Sequence, residues 1–294
     1  WPMVLAARFT DRMGKGLRGP PRDAIIADET TPANRGRAFG FHRAADTTGA
    51  VVGPLIGLAL YEAFDQQFEP LLLIAVVPAV LSVLLVFLVR ERPHPGIGQR
   101  RSWRVDELPR RYWRLIGVIG LFALVNFPDT LLLLRAKDLG FDFAGVVALY
   151  VLYNLSYAVL SYPAGAVSDR RSRRVIFATG LGLFALAYLG FGLAGTSGWL
   201  WVLFPLYGGY TALTDGVSRA WVADLAPAED RGTALGIHAA VSGAGLLVAG
   251  VWAGLAWGGD GRTPFLVSGA VTAVIAVGLL VVGRGRLDAA PGAT

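Results

Sequence analysis

The chain has 294 residues, of which 54% are hydrophobic and only 16% charged, with 38 glycines and a net charge of +6. That balance excludes an ordinary soluble enzyme domain, whose helices carry one polar face. Cysteine is absent, which excludes disulfides and thiolate metal sites, and the positive charge is explained by its position along the chain rather than by a nucleic-acid partner.

Nine membrane spans are predicted: 2–27, 36–61, 70–90, 113–134, 144–167, 175–195, 199–223, 233–257 and 264–283. Stretches 71–89, 175–195 and 265–283 contain no charge at all, and each can cross a hydrocarbon core of about 30 Å as a helix. Abundant glycine and alanine suit the close packing that holds helices together in lipid. The fold class expected is therefore all-α, a polytopic transmembrane helical bundle.

Several spans carry charge. The first holds Arg8, Asp11, Arg12, Lys15, Arg18, Arg22 and Asp23, with a break expected at Pro20-Pro21. The second holds Arg43 and Asp46 and then GAVVGPLIG, where Gly49, Gly53 and Gly57 are read as a helix-packing motif and Pro54 as a bend. The fourth holds Asn126 and Asp129 around Pro128, and the seventh Asp215 and Arg219, one to two turns after Tyr207, Tyr210 and Thr211. A charge at mid-bilayer costs at least ~2.5–3.5 kcal/mol, so it must face a cavity or a partner. Arg8, Asp11, Asp46, Asn126, Asp129, Asp215 and Arg219 are the candidates for lining a cavity or coupling to protons. Asp11 and Asp129 are best placed to take up and release a proton, since withdrawal from water favours the neutral carboxyl.

The links between spans alternate in charge. Eight arginines fall between residues 90 and 114, four between 168 and 174, and Arg284 and Arg286 follow the last span, whereas the opposite links are poor in basic residues. The basic side is expected to be cytoplasmic, which places the C-terminus inside and Trp1 outside. Residues 91–112, with three prolines, read as a cytoplasmic linker.

Residues 27–49 recur at 223–245. At a fixed offset of 196, nine positions are identical, among them Asp28/Asp224, Arg35/Arg231, Gly36/Gly232, Gly40/Gly236 and His42/His238. The paired histidines are read as a duplicated packing feature. A repeat of this kind marks a carrier built from two similar halves with the substrate between them.

The sequence GAVSDRRSRR at 165–174 closes the fifth span. It resembles the loop signature of the major facilitator superfamily through Gly165, Asp169, Arg170, Arg173 and Arg174, with Ser172 where that family usually has glycine. Arg8, Gly14 and Gly16 resemble the family's fourth-helix motif, and Gly49, Gly53, Pro54 and Gly57 its fifth-helix signature, which is associated with antiporters and drug exporters. The resemblance covers the whole chain as the family's fourth to twelfth helices. It implies an MFS general-transporter-like fold of two pseudo-symmetric halves, nine spans present here and twelve in the intact protein, with residues 1–294 alone inactive. Residues 1–90 would be three spans of the N-terminal bundle, 91–112 the linker, 113–286 a six-helix C-terminal bundle and 287–294 a cytoplasmic tail.

The resemblance also implies a latch. Asp169 would meet the N-terminus of the second span near Arg35–Ala38, where the helix dipole favours an anion, and Asp224 would pair with Arg170 or Arg173. Asp28 is the repeat mate of Asp224. No catalytic, metal-ligating or nucleotide-binding pattern is present, and GKG at 14–16 lacks the rest of a phosphate loop. The function expected is secondary active transport of a small molecule by alternating access, as a proton-coupled efflux antiporter in the cell (plasma or inner) membrane. Its partners would be lipid, the substrate and protons, with no cofactor, no nucleic acid and a monomeric state. Uptake of a metabolite is the alternative, and a non-transporting receptor, a scaffold or an intramembrane enzyme are the other classes.

Overall fold

The computed structural model describes residues 2–88 and 108–282. Among these residues every regular element is helical: α1 (Pro2–Asp28), α2 (Arg35–Ala63), α3 (Phe68–Val86), α4 (Arg110–Ala123), α5 (Thr130–Asp138), α6 (Phe143–Arg170), α7 (Arg173–Leu193), α8 (Leu200–Leu225), α9 (Arg231–Leu255) and α10 (Arg262–Val282). Single 3₁₀ turns, Ser197–Trp199 and Ala228–Asp230, lead into α8 and α9. Six helices, α2, α3, α6, α7, α9 and α10, are long and apolar enough to cross a membrane. The 26-residue α8 is long enough but diluted by tyrosine, threonine, aspartate and arginine. Part of the expected linker, 91–107, and the tail from 283 onward lie outside the described residues.

Two expectations about the spans need correcting. The fourth span is not one helix. It stops after Ala123 and resumes at Thr130, leaving Leu124–Asp129 outside both α4 and α5. Pro128 lacks an N–H and its ring disfavours helix in the residue before it. The freed Leu124 carbonyl is met by the Trp252 indole N–H of α9 at 2.7 Å, so the break is satisfied locally. Conversely, α1 does not break at Pro20-Pro21 but runs unbroken from Pro2 to Asp28.

Helices α4 to α10 pack as one body, with α6 and α7 against α8, α7 against α10 and α4 against α9. Aromatic side chains fill its centre. Phe122 of α4 meets Phe184 of α7 edge-on with centroids 5.0 Å apart, and Phe127 in the α4–α5 break meets Phe265 of α10 in the same way at 5.0 Å, the geometry that the ring quadrupoles favour. Phe184, Tyr188, Phe191 and Phe265 are fully buried. Against this body α2 lies along α6 and α1 along α9. Helix α3 touches α2, and between Leu72 and Leu85 its leucines and valines are exposed. Such a helix would be insoluble in water, whereas hydrocarbon solvates it at no cost.

Helix ends sort to two poles. At one, where the basic links lie, Arg174 donates to the C-terminal carbonyls of Leu279 and Leu280 in α10, both at 3.0 Å. At the other, Arg135 of α5 is 3% exposed and donates to the carbonyls of Phe191 (3.2 Å), Ala194 (2.9 Å) and Asp260 (2.6 Å). Arg174, and Arg135 through Phe191 and Ala194, satisfy orphan carbonyls at helix C-termini, where the dipole is negative.

Candidate functional site

Two clusters of polar side chains are built on this scaffold. The first lies at the basic pole. The last turn of α6 carries Asp169, whose side chain is 2% exposed. Its Oδ1 accepts from the Gly36 N–H at 2.7 Å and its Oδ2 from the Arg37 N–H at 2.9 Å, the first free donors of α2. An anion at a helix N-terminus gains from both the donors and the dipole. Arg173 braces the same carboxylate at 3.4 Å and reaches Asp224 of α8 at 2.6 Å. Glycine is required at this crossing. A Cβ on Gly165 would stand 2.2 Å from the Gly36 carbonyl oxygen, and one on Gly36 2.6 Å from the Gly165 carbonyl oxygen. One turn on, a Cβ on Gly40 would stand 2.4 Å from the Ser161 carbonyl oxygen.

The repeat explains the rest of this cluster. Asp224 pairs with Arg35, and Asp28 with Arg231 at 3.0 Å. The residues that match along the sequence therefore pair crosswise in space, the reciprocity of a two-fold contact. Arg35, 1% exposed, also donates to the Ala27 and Thr30 carbonyls at 3.0 and 3.1 Å. Asp224 takes Arg35 and Arg173 rather than Arg170.

The second cluster surrounds a cavity of about 320 Å³ lined by α4, α6, α8, α9 and the α4–α5 break. At one end stands Asp129. Tyr207 of α8 donates to its Oδ1 at 2.7 Å and Tyr153 of α6 to its Oδ2 at 3.2 Å. Among the described residues no cationic side chain lies within 4 Å of it. Beside it the Asn126 amide donates to the Tyr210 hydroxyl at 3.1 Å. The break in the fourth span is what turns Asn126 and Asp129 into the cavity.

The other end of the cavity is an ion network. Arg219 of α8 pairs with Asp215 one turn earlier and with Asp23 of α1 at 2.8 Å, and Arg43 of α2 reaches Asp215 at 3.4 Å and Asp23 at 3.7 Å. The Tyr157 hydroxyl of α6 donates to Asp215. Asp23 and Arg219 stand at the repeat offset of 196. The two copies of this position carry opposite charge and pair with each other. His238 of α9 also lines the cavity.

The remaining expected site residues are distributed differently. Asp46 reaches Arg43 at 3.6 Å, but its side chain is 59% exposed and it lines no part of the cavity. Gly49, Gly53 and Gly57 have no described atom within 4 Å of a Cβ placed on them, and the close approach of α2 occurs nearer its N-terminus, at Gly36 and Gly40. The side chains of Arg8 and Asp11 lie outside the described residues. Asp23, Arg43, Tyr153 and Tyr157 were not among the expected site residues. For Asp23 a signal existed, since its repeat mate is Arg219.

The Major Facilitator Superfamily profile matches residues 1–152 and again 114–293. The chain belongs to the Major Facilitator Superfamily. It is 36% identical over 289 residues to an uncharacterized MFS-type transporter of Methanocaldococcus jannaschii, covering 96% of this chain and 72% of that protein. It is 25% identical over 256 residues to the multidrug resistance protein MdtH of Salmonella arizonae, covering 83% of this chain and 62% of that one. The fold resembles that of the human organic anion transporter MFSD10, with a TM-score of 0.66 at 18% identity over 87% of this chain and 66% of that one. As an MFS chain it is a membrane transporter whose surroundings are a lipid bilayer and whose cargo is a small molecule.

In this MFS chain, Asp169→Asn is expected to cost about 1–2 kcal/mol of stability, because one N–H of α2 loses its acceptor and the charge at the dipole disappears. Transport is expected to fall further than stability does. Thermal denaturation beside a flux assay on the same variant checks this. A loss of flux no larger than the loss of folded protein would remove the latch from the transport cycle.

Proposed function

We propose that the chain performs secondary active transport of a small molecule by alternating access, as a proton-coupled efflux antiporter. Helices α1–α3 belong to one bundle and α4–α10 to the other. The bundles rock about the central cavity, and the Asp169 cluster holds their cytoplasmic ends together in one state. The observation that carries this reading is Asp129. It is a carboxylate on broken backbone in the middle of an apolar bundle, open to a cavity and held by two phenolic donors, with no cation beside it among the described residues. Charge in such a place is expensive and marks an ion or substrate path. A proton from one side neutralises it, and its release to the other side drives the exchange. The relation to MdtH supports export over uptake.

The test is flux of a candidate substrate in proteoliposomes of the full-length protein under an imposed pH gradient. Proton-driven substrate movement against its gradient is expected, and Asp129→Asn is expected to abolish that drive. Pumping by Asp129→Asn at the wild-type rate would remove Asp129 from coupling. Substrate moving in the same direction as protons would replace export by symport.

A further inference from the structure

We propose that the central cavity selects organic cations, an aryl-substituted ammonium or comparable monocation, and that the cation and a proton occupy Asp129 in turn. This rests on reading the cavity as the transport site.

At the far end of the cavity, Arg219 is shared by Asp215 and Asp23, and Arg43 reaches both of the same carboxylates. Arg22 also reaches Asp23, at 3.2 Å, and Asp46 reaches Arg43, at 3.6 Å, so three cations and three anions are matched there and no arginine is left over to recognise an anionic substrate. Asp129 is unmatched. Among the described residues, the titratable groups set against it are phenols from three helices: Tyr153 on α6, Tyr188 on α7, and Tyr207 and Tyr210 on α8. Asp215, Arg219 and His238 line the same cavity. Two of the phenols direct O–H donors at the carboxylate, which fixes its position without neutralising it.

The walls suit a cation that also has an apolar body. Rings of Phe122, Tyr153, Tyr207 and Tyr210 line the space next to Asp129. Aromatic faces attract cations and cost nothing against the flat faces of an aryl group. A cavity of about 320 Å³ is at the small end of the size that encloses a drug-sized ligand. A neutral or anionic ligand of the same shape would leave Asp129 desolvated and unpaired, which is unfavourable. Neutralisation by one proton removes the attraction for a cation, so one proton leaves for each cation that enters. The charge in the cavity then stays constant across the exchange.

The experiment is calorimetric titration of the detergent-solubilised full-length protein with benzyltrimethylammonium, whose charge does not vary with pH, and with benzenesulfonate as the anionic counterpart. Cation binding is expected, with benzenesulfonate weaker by about tenfold or more. Affinity for the cation is expected to fall as pH is lowered, with about one proton released per cation, read from the heat in buffers of different ionisation enthalpy. Asp129→Asn is expected to lose about tenfold to a hundredfold in affinity and all of the proton release. Asp129→Glu, which keeps the carboxylate, is expected to retain both, and the wild-type pH series needs no variant to fold. Equal or tighter binding of benzenesulfonate, no cation binding, or proton release unchanged in Asp129→Asn would overturn the proposal. Binding requires no transport, so the two readings fail separately. Cation binding without flux sinks the transport reading alone, and proton-driven flux of another compound with no cation binding sinks this one alone.

Discussion

Replacing Gly165 with alanine is expected to separate α6 from α2 at the basic pole and to have the largest steric effect of any single methyl group in the chain. The added Cβ would sit 2.2 Å from the Gly36 carbonyl oxygen and 2.8 Å from its carbon. Both are backbone atoms inside a helix, so no rotamer change relieves the overlap. The helices must move apart by about 1 Å, and close-packed contacts do not absorb such a shift without loss. Asp169 would then lose its two donors on α2, and the reciprocal ion pairs would loosen with it. The expected cost is on the order of 2–4 kcal/mol, from overpacking together with two charge-assisted hydrogen bonds. Gly182→Ala in α7 is the control, since nothing lies within 4 Å of its Cβ, and it is expected to be stabilising by about 0.5–1 kcal/mol through helix propensity. Thermal unfolding of both variants checks the pair. An equal response from the two would mean that α2 and α6 do not meet at Gly36 and Gly165.

Arg219→Leu is expected to have the largest electrostatic effect. The arginine serves Asp23 of α1 and Asp215 of α8 at once. Removing it leaves Asp215 with Arg43 at 3.4 Å, and Asp23 with Arg43 at 3.7 Å and Arg22 at 3.2 Å. Removing one partner from this part-buried network costs about 1–3 kcal/mol, chiefly the cost of the charge left behind. The exchanged double variant, Asp23→Arg with Arg219→Asp, is expected to recover a large part of this loss, because the two side chains pair directly, at 2.8 Å. Stability of the two single variants and the double variant, treated as a double-mutant cycle, measures the coupling. A double variant no better than the sum of the singles would show that Asp23 and Arg219 do not pair.

Much of the fold was legible in the sequence. The helices lie where apolar runs of sufficient length predicted spans, because membrane helices satisfy their backbone within one segment and so depend little on tertiary context. What misled was proline. Pro20-Pro21 predicted a break where α1 runs on, and residues 113–134 read as one span where the chain leaves the helix for Leu124–Asp129. The difference is decided by partners far along the chain, such as the Trp252 indole that takes up the Leu124 carbonyl.

The candidate site was legible only in part, for a related reason. The repeat identified Asp28, Arg35, Asp224 and Arg231 as duplicated residues, but not that each acid pairs with the arginine of the other copy. Identity in the repeat also does not guarantee an equal contact. Gly36 and Gly40 lie against α6, whereas their mates Gly232 and Gly236 have nothing within 4 Å among the described residues. Asp129 was recognised from the cost of its charge, and its partners Tyr153 and Tyr207 were not, since they lie 24 and 78 residues away and tyrosine in a span carries no distinguishing pattern.

The central claim is alternation of access about this cavity, and the absence of native cysteine allows a direct measurement. Spin labels on introduced cysteines at Ala33 and Arg171 report the basic pole, and labels at Gln66 and Ser197 report the opposite one. Electron–electron distance distributions in nanodiscs at low and high pH are expected to show two populations at each pole. Protonation should lengthen one pair while it shortens the other. A single distribution at both poles that does not respond to pH, or two poles that open together, would contradict the account.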